Sequence, residues 1–211
     1  MIDSKVRIPI KSTPVLLDKV LQDLQVALSK NLLWLNHAFG RAQRLVEHRL
    51  DDNKFIYPAI YLGSTEYLSM LPNDQLGNFS WFDIYDPQEI TEVVQSKPQY
   101  TFSGAIVFWY NLRSIYPDDS VLYTEEIKDE VLTLLTTPGI LTTNSRIAIT
   151  KVFERFENIY KGYSLEKVYN TFVYSGQGIQ ELDKQFFMYP YAGLRVEFTI
   201  TTRELCQRYI K

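Results

Sequence analysis

The stretch YAGLRVEFTITTREL, Tyr191 to Leu205, alternates between apolar and polar side chains through its middle. A period of two belongs to a β-strand with one dry face, because successive side chains leave the pleat on opposite sides. Leu194, Val196, Phe198 and Ile200 are therefore expected to lie on helices. Arg195, Glu197, Thr199 and Thr201 are expected on a wet face, pairing with neighbouring strands. A strand this late in the chain completes a sheet whose other members come from earlier segments.

Those segments can be read in order. After an N-terminal arm, Thr13 can cap free amides and Pro14 suits a first helical position. Leu17, Val20, Leu21, Leu24 and Leu28 then mark an amphipathic helix to about Lys30. Residues 31–50 can be written as a helix or as a bent strand around Gly40, with a strand preferred near Phe39 to Glu47. DDNK, Asp51 to Lys54, is a turn by composition. FIYPAIYLG is rich in strand formers, and Pro58 points to an edge or irregular strand. SMLPNDQLGN reads as a loop, and FSWFDIYDP as a short strand. The apolar run AIVFWYNL, Ala105 to Leu112, is short enough for a buried central strand. TEEIKDEVLTLLTT is a second helix, with Glu125 and Glu126 in the first turn, an apolar stripe at Ile127, Val131, Leu134 and Leu135, and Pro138-Gly139 to end it. Alternating Ile147 and Ile149 lead to a turn at Lys161-Gly162. The pattern is α+β: a mostly antiparallel sheet covered by two main helices.

A chain of 211 residues suits one domain, burying roughly 70% of its unfolded surface. Residues 1–211 are read as that domain, with 64–99 and 165–188 as long loop insertions. The formal charge of −3 argues against a broad phosphate-binding surface. No apolar run is long enough to cross a membrane, and the N-terminal residues lack a secretion signal, so synthesis in the cytoplasm is expected. The single cysteine, Cys206, excludes an internal disulfide. Fifteen tyrosines are the most unusual feature of the composition, and tyrosine favours interfaces.

Chemistry is sparse. Pro117-Asp118 followed by Glu126-Ile127-Lys128 fits a loose PD…ExK nuclease pattern, in which two carboxylates hold Mg²⁺ and a lysine stabilises charge. In that family the second acid and the lysine lie on a strand, whereas here they open a helix. His37 and His48 have no further ligands at zinc spacing and no nucleophile motif beside them. YSGQGIQ has two glycines but no phosphate-cradling frame. No catalytic, cofactor or metal residues are assigned. Arg41 and Arg44 form a basic patch that could meet Glu126 and Glu130 on a neighbouring copy, since complementary patches set register between subunits.

The first helix, the FIYPAIYLG, FSWFDIYDP and AIVFWYNL strands, the acidic TEEIKDEVLTLL helix, the ENIYKGYS turn and the last strand together resemble the tail-completion and neck proteins of tailed bacteriophages. The likeness is strongest to the neck ring proteins of crAss-like phages. It covers most of the chain and rests on layout, not on a diagnostic motif. The resemblance implies a tail-terminator-like fold and a structural virion protein without enzyme activity. Such a protein is a head–tail connector made in the bacterial host cytoplasm and placed in the virion neck. It forms a hexameric or dodecameric ring, contacts the portal and other neck or tail proteins, and lets DNA pass through the lumen without sequence-specific binding. No membrane or cofactor is implied. Members of such families are shorter, so 64–99 and 165–188 would be additions. The alternatives are a PD…ExK nuclease using Asp118, Glu126 and Lys128, and a monomeric protein-binding adaptor.

Overall fold

The late strand, Tyr191–Arg203, is β9, and it pairs on both sides. Its neighbours are β7 (Lys97–Asn111), the buried run expected at the centre, and β8 (Ser145–Phe153). Beyond β7 come β5 (Phe79–Ile84) and then β1 (His37–Arg41), giving the order β1-β5-β7-β9-β8. All these pairings are antiparallel except that of β1 with β5. A further strand, β6 (Glu89–Val93), pairs with the first part of β7. The computed structural model describes residues 12–48, 54–93, 97–116, 124–141, 144–165 and 189–203. The arm, most of DDNK, the PDDS stretch, YSGQGIQ, Cys206 and nearly all of 165–188 lie outside them.

One face of this sheet carries the apolar row of β9. Leu194, Val196, Phe198 and Ile200 pack in one cluster with Leu24 and Leu28 of α1 (Leu16–Asn31) and with Ile127, Val131 and Leu135 of α3 (Thr124–Thr136). The two helices cover the sheet as the periodicity requires. The start of α1 differs from expectation: neither Thr13 nor Pro14 is in the helix, and Val15 holds the cap position without a side-chain cap hydrogen bond among the described residues. The turn is made by Leu16, whose φ of 47° is in the left-handed region.

A second core lies on the opposite face, where Phe79, Trp81, Val107 and Trp109 meet Ile60, Met70, Ile159 and Tyr160. It is covered by a separate three-stranded sheet, β2-β3-β4, made of Gln43–His48, Lys54–Gly63 and Glu66–Ser69. The single turn α4 (Phe156–Ile159) completes the cover, and a short α2 (Leu112–Ile115) follows β7. The bent strand expected between Phe39 and Glu47 is thus two strands in different sheets. The hinge is Ala42, whose N–H donates to Phe82 O at 2.9 Å.

Two further expectations are corrected. Pro58 lies in the middle strand of the small sheet, not at its edge, and that strand is irregular, with a register shift against β4 between Tyr61 and Gly63. The Pro58 carbonyl accepts from Met70, one residue past the end of β4, so the donor that proline lacks faces a side where the ladder has stopped. Residues 64–99, read as a loop insertion, contain β4, β5 and β6, and β5 lies inside the large sheet. Gly104 of β7 shows how close that packing is: a Cβ there would stand 2.5 Å from Asp83 O.

Candidate functional site

Cover on both faces reaches part of the polar row of β9, and leaves Thr199 and Thr201 half-buried. Arg195 and Glu197 are buried, at 1% and 8% exposure, which overturns the expectation of a wet face. Their burial is possible because β7 is small where they cross it: Ala105 stands between Asp83 and Glu197, and Val107 between Trp81 and Arg195. The guanidinium reaches over this low ground to β5. Arg195 Nη2 donates to Asp83 Oδ2 at 2.8 Å and to the Tyr85 hydroxyl, and Nη1 donates to Ile159 O at 3.1 Å.

The remaining acceptors are taken from other elements. Tyr163, just past α4, donates to Asp83 Oδ1 at 2.9 Å, so both oxygens of that carboxylate are engaged. Tyr85 donates to Glu197 Oε1 at 3.1 Å, and Lys161 lies 3.5 Å from the same oxygen. Arg195 Nε is 3.8 Å from it, within ion-pairing range but too far to hydrogen-bond. Arg44 of β2 closes the cluster from outside, with its guanidinium 4.9 Å from the Tyr163 ring centre and an N–H donated to Gly162 O at 2.6 Å. A buried ion pair of this kind needs its other polar atoms satisfied to offset desolvation. The cluster ties β2, β5, β9 and the α4 turn together.

Burial shifts the titrating groups in one direction. It pushes the Tyr85 phenol up to about 12, with Arg195 opposing. It raises Tyr163 further, aided by Asp83, and does the same to Tyr160 and Tyr110. Burial acts to lower Arg195, but Asp83 and Tyr85 outweigh it and the guanidinium is raised. At neutral pH the raised phenols of Tyr85 and Tyr163 are therefore neutral and the Arg195 guanidinium is charged, an arrangement that fixes geometry.

The sign of the pH dependence follows. A phenol raised in the fold contributes stability that is complete below the unfolded tyrosine value of about 10 and is lost as pH rises through its folded value. The urea midpoint is expected to hold steady from neutral pH to about pH 9 and to fall as pH climbs from there towards 12. Tyr85→Phe should make that fall shallower. An equally steep fall in the variant would show that Tyr85 is not among the groups responsible.

Beside the cluster an open cleft of about 630 Å³ runs between α1 and the β1–β2 hinge. Asp83, Arg41, Arg44, Asp18, Asp86 and Tyr61 are among the residues that line it. The four residues assigned to subunit contacts divide in two. Arg44 is engaged with Tyr163 and Gly162, and Glu130 accepts from Trp34 Nε1 at 2.9 Å. Arg41, at the end of β1, and Glu126, on the first turn of α3, are exposed and have no ion-pair partner among the described residues.

The nuclease residues are placed differently from that chemistry. Glu126 and Lys128 are on a helix, Lys128 is paired with Glu125 and with Glu154 at 3.4 Å, and Asp118 lies outside the described residues. His37 begins β1 and His48 ends β2. Among the described residues no group of His, Cys, Asp or Glu could hold a metal ion, and no helix is long and apolar enough to cross a membrane.

Asp83, Tyr85 and Tyr163 were not picked out by sequence reasoning. The available signal was Asp83 inside FSWFDI, a lone acid on the same strand face as Phe79 and Trp81. A carboxylate there must be either exposed or matched by a buried cation. No protein-family model matches the chain, and no curated protein is significantly similar to it.

Proposed function

We propose that this protein is a structural component of a tailed-phage virion. It forms a ring in the neck between portal and tail, with a tail-terminator-like arrangement of its sheet and with DNA passing through the lumen. The observation that carries the reading is that the two edges of the six-stranded sheet differ and are complementary. The β1 edge ends in exposed Arg41, and the β8 edge lies under α3 with exposed Glu126. Unlike edges of opposite charge suit head-to-tail contacts, which close into a ring where the rotation between neighbours closes and run on as a filament where it does not.

A second feature supports assembly. On the small sheet, Tyr61 and Tyr67 are register partners with ring centres 5.1 Å apart, and each is 45% exposed. Alternation puts Tyr57 and Leu45 on the same face, opposite Ile56, Ile60 and Leu68, which pack inward. Phe55 and Ala59 on that face are buried, so it is the exposed Tyr61–Tyr67 pair that suits contact with the portal or the next ring.

Glu126→Lys is expected to shift the assembled species towards protomers in sedimentation, and Arg41→Glu in the same chain should restore assembly. Unchanged assembly in both single variants would overturn the pairing. A strictly monomeric wild type would favour the adaptor reading.

A further inference from the structure

We infer that the cleft between α1 and the β1–β2 hinge binds a short extended peptide of about three residues, with its carboxylate on Arg41, its amino group on Asp86 and a peptide N–H on Gln25. The inference stands independently of the ring reading.

The cleft is a consequence of the change of sheet. β1 runs beside β5 as far as the pairing of Arg41 with Phe82, the Ala42 N–H bonds to Phe82 O, and the chain then leaves for the small sheet as β2. β5 carries straight on, with the Tyr85 N–H donating to Ser103 O on the β7 side. The space bounded by α1, the hinge, β3 and the end of β5 measures about 630 Å³, within the range of small-ligand sites.

Its charged groups divide into those already engaged and those that are not. Asp83 and Arg44 line the cleft but belong to the buried cluster, where Tyr163, Arg195 and Gly162 hold them. Arg41 and Asp86 are exposed, line the same cleft and have no ion-pair partner among the described residues, so they do not pair with each other. Opposite charges held apart in one cleft suit a ligand that carries both. From Phe82, the register partner of Arg41, to Asp86 the extended chain covers roughly 13 Å. The two side chains shorten that gap, and three extended residues span about 10 Å.

Gln25 supplies the contact that favours a peptide. It lines the cleft at 6% exposure, and its Nε2 donates to Ala38 O at 2.8 Å, which holds the amide in one orientation. Its Oε1 accepts no hydrogen bond among the described residues. A buried acceptor fixed in this way calls for a donor, and an extended peptide presents its N–H groups. Leu21, Ile60 and Ile84 provide apolar lining for small aliphatic side chains. The fork of N–H donors on Arg41 can take a ligand carboxylate beside a contact to another subunit.

Calorimetric titration of the full-length chain with trialanine, with N-acetyl-trialanine and with trialanine amide tests this. Trialanine should bind, and blocking either end should weaken it at least about tenfold. Asp86→Asn should weaken trialanine by a similar factor while leaving the affinity for the N-acetyl peptide unchanged, and Arg41→Gln should do the same with respect to the amide. Those comparisons separate recognition from damage to the fold, since a variant that merely loosens the cleft weakens every peptide alike. No binding of trialanine up to millimolar concentration overturns the inference. Equal affinity for the three peptides, or equal losses for free and acetylated peptide in Asp86→Asn, overturns it as well.

Discussion

Replacing Asp83 by Ala is expected to destabilise the protein by about 3–5 kcal/mol in urea unfolding. The substitution leaves Arg195 at 1% exposure with its principal counter-charge gone. It also removes the acceptor of the buried Tyr163 hydroxyl. An uncompensated buried cation costs far more than the pair contributed when intact, because the pair's attraction largely offsets its own desolvation. Arg195→Met placed in the Asp83→Ala chain should therefore recover most of the loss. Asp83→Asn, which keeps acceptor capacity for Tyr163, should fall between. A loss below about 1 kcal/mol for Asp83→Ala, the range of an exposed pair, would show that water reaches the guanidinium and that the cluster does not tie the layers.

The second large effect is on the other face of the same strand. Phe198 is 1% exposed and sits between Gly104 of β7 and Ile149 of β8 in the cluster under α1 and α3. Truncation to Ala should cost about 3–5 kcal/mol through lost transfer energy and the cavity left behind. Phe198→Asp should give no soluble folded protein, since it buries a charge without a partner. Thr199→Ala, one residue on and half-buried, should change stability by no more than about 0.5 kcal/mol. Similar losses for Phe198→Ala and Thr199→Ala would mean that the faces of β9 are wrongly assigned.

These two substitutions also show what the sequence disclosed and what it withheld. Period-two alternation identified β9, and an unbroken apolar run identified β7, because both signals are local. The apolar row of β9 was placed on helices correctly for the same reason. The fate of the polar row was not local. Whether Arg195 meets water or Asp83 depends on a partner 112 residues earlier and on a second sheet arriving from residues 43–69 to cover that face. A strand with one polar row looks alike in both cases until its cover is known.

Breaks were harder still. The bend expected around Gly40 does not by itself tell that the chain changes sheet at Ala42, two residues on, and the start of α1 at Leu16 ignores the Thr13-Pro14 signal that the sequence offers. Pro58 in a middle strand needed knowledge of where β4 ends, which is a register fact and not a composition fact. For the subunit contacts, residue type alone could not separate Arg44 and Glu130, engaged within the chain, from Arg41 and Glu126, which face outward.

The most direct test of the ring is the mass of the purified full-length chain in solution, measured by light scattering across a range of concentrations and together with isolated portal. A closed assembly of six or twelve copies, formed alone or on the portal, is the result this reading requires. A single protomer mass under every one of those conditions would contradict it.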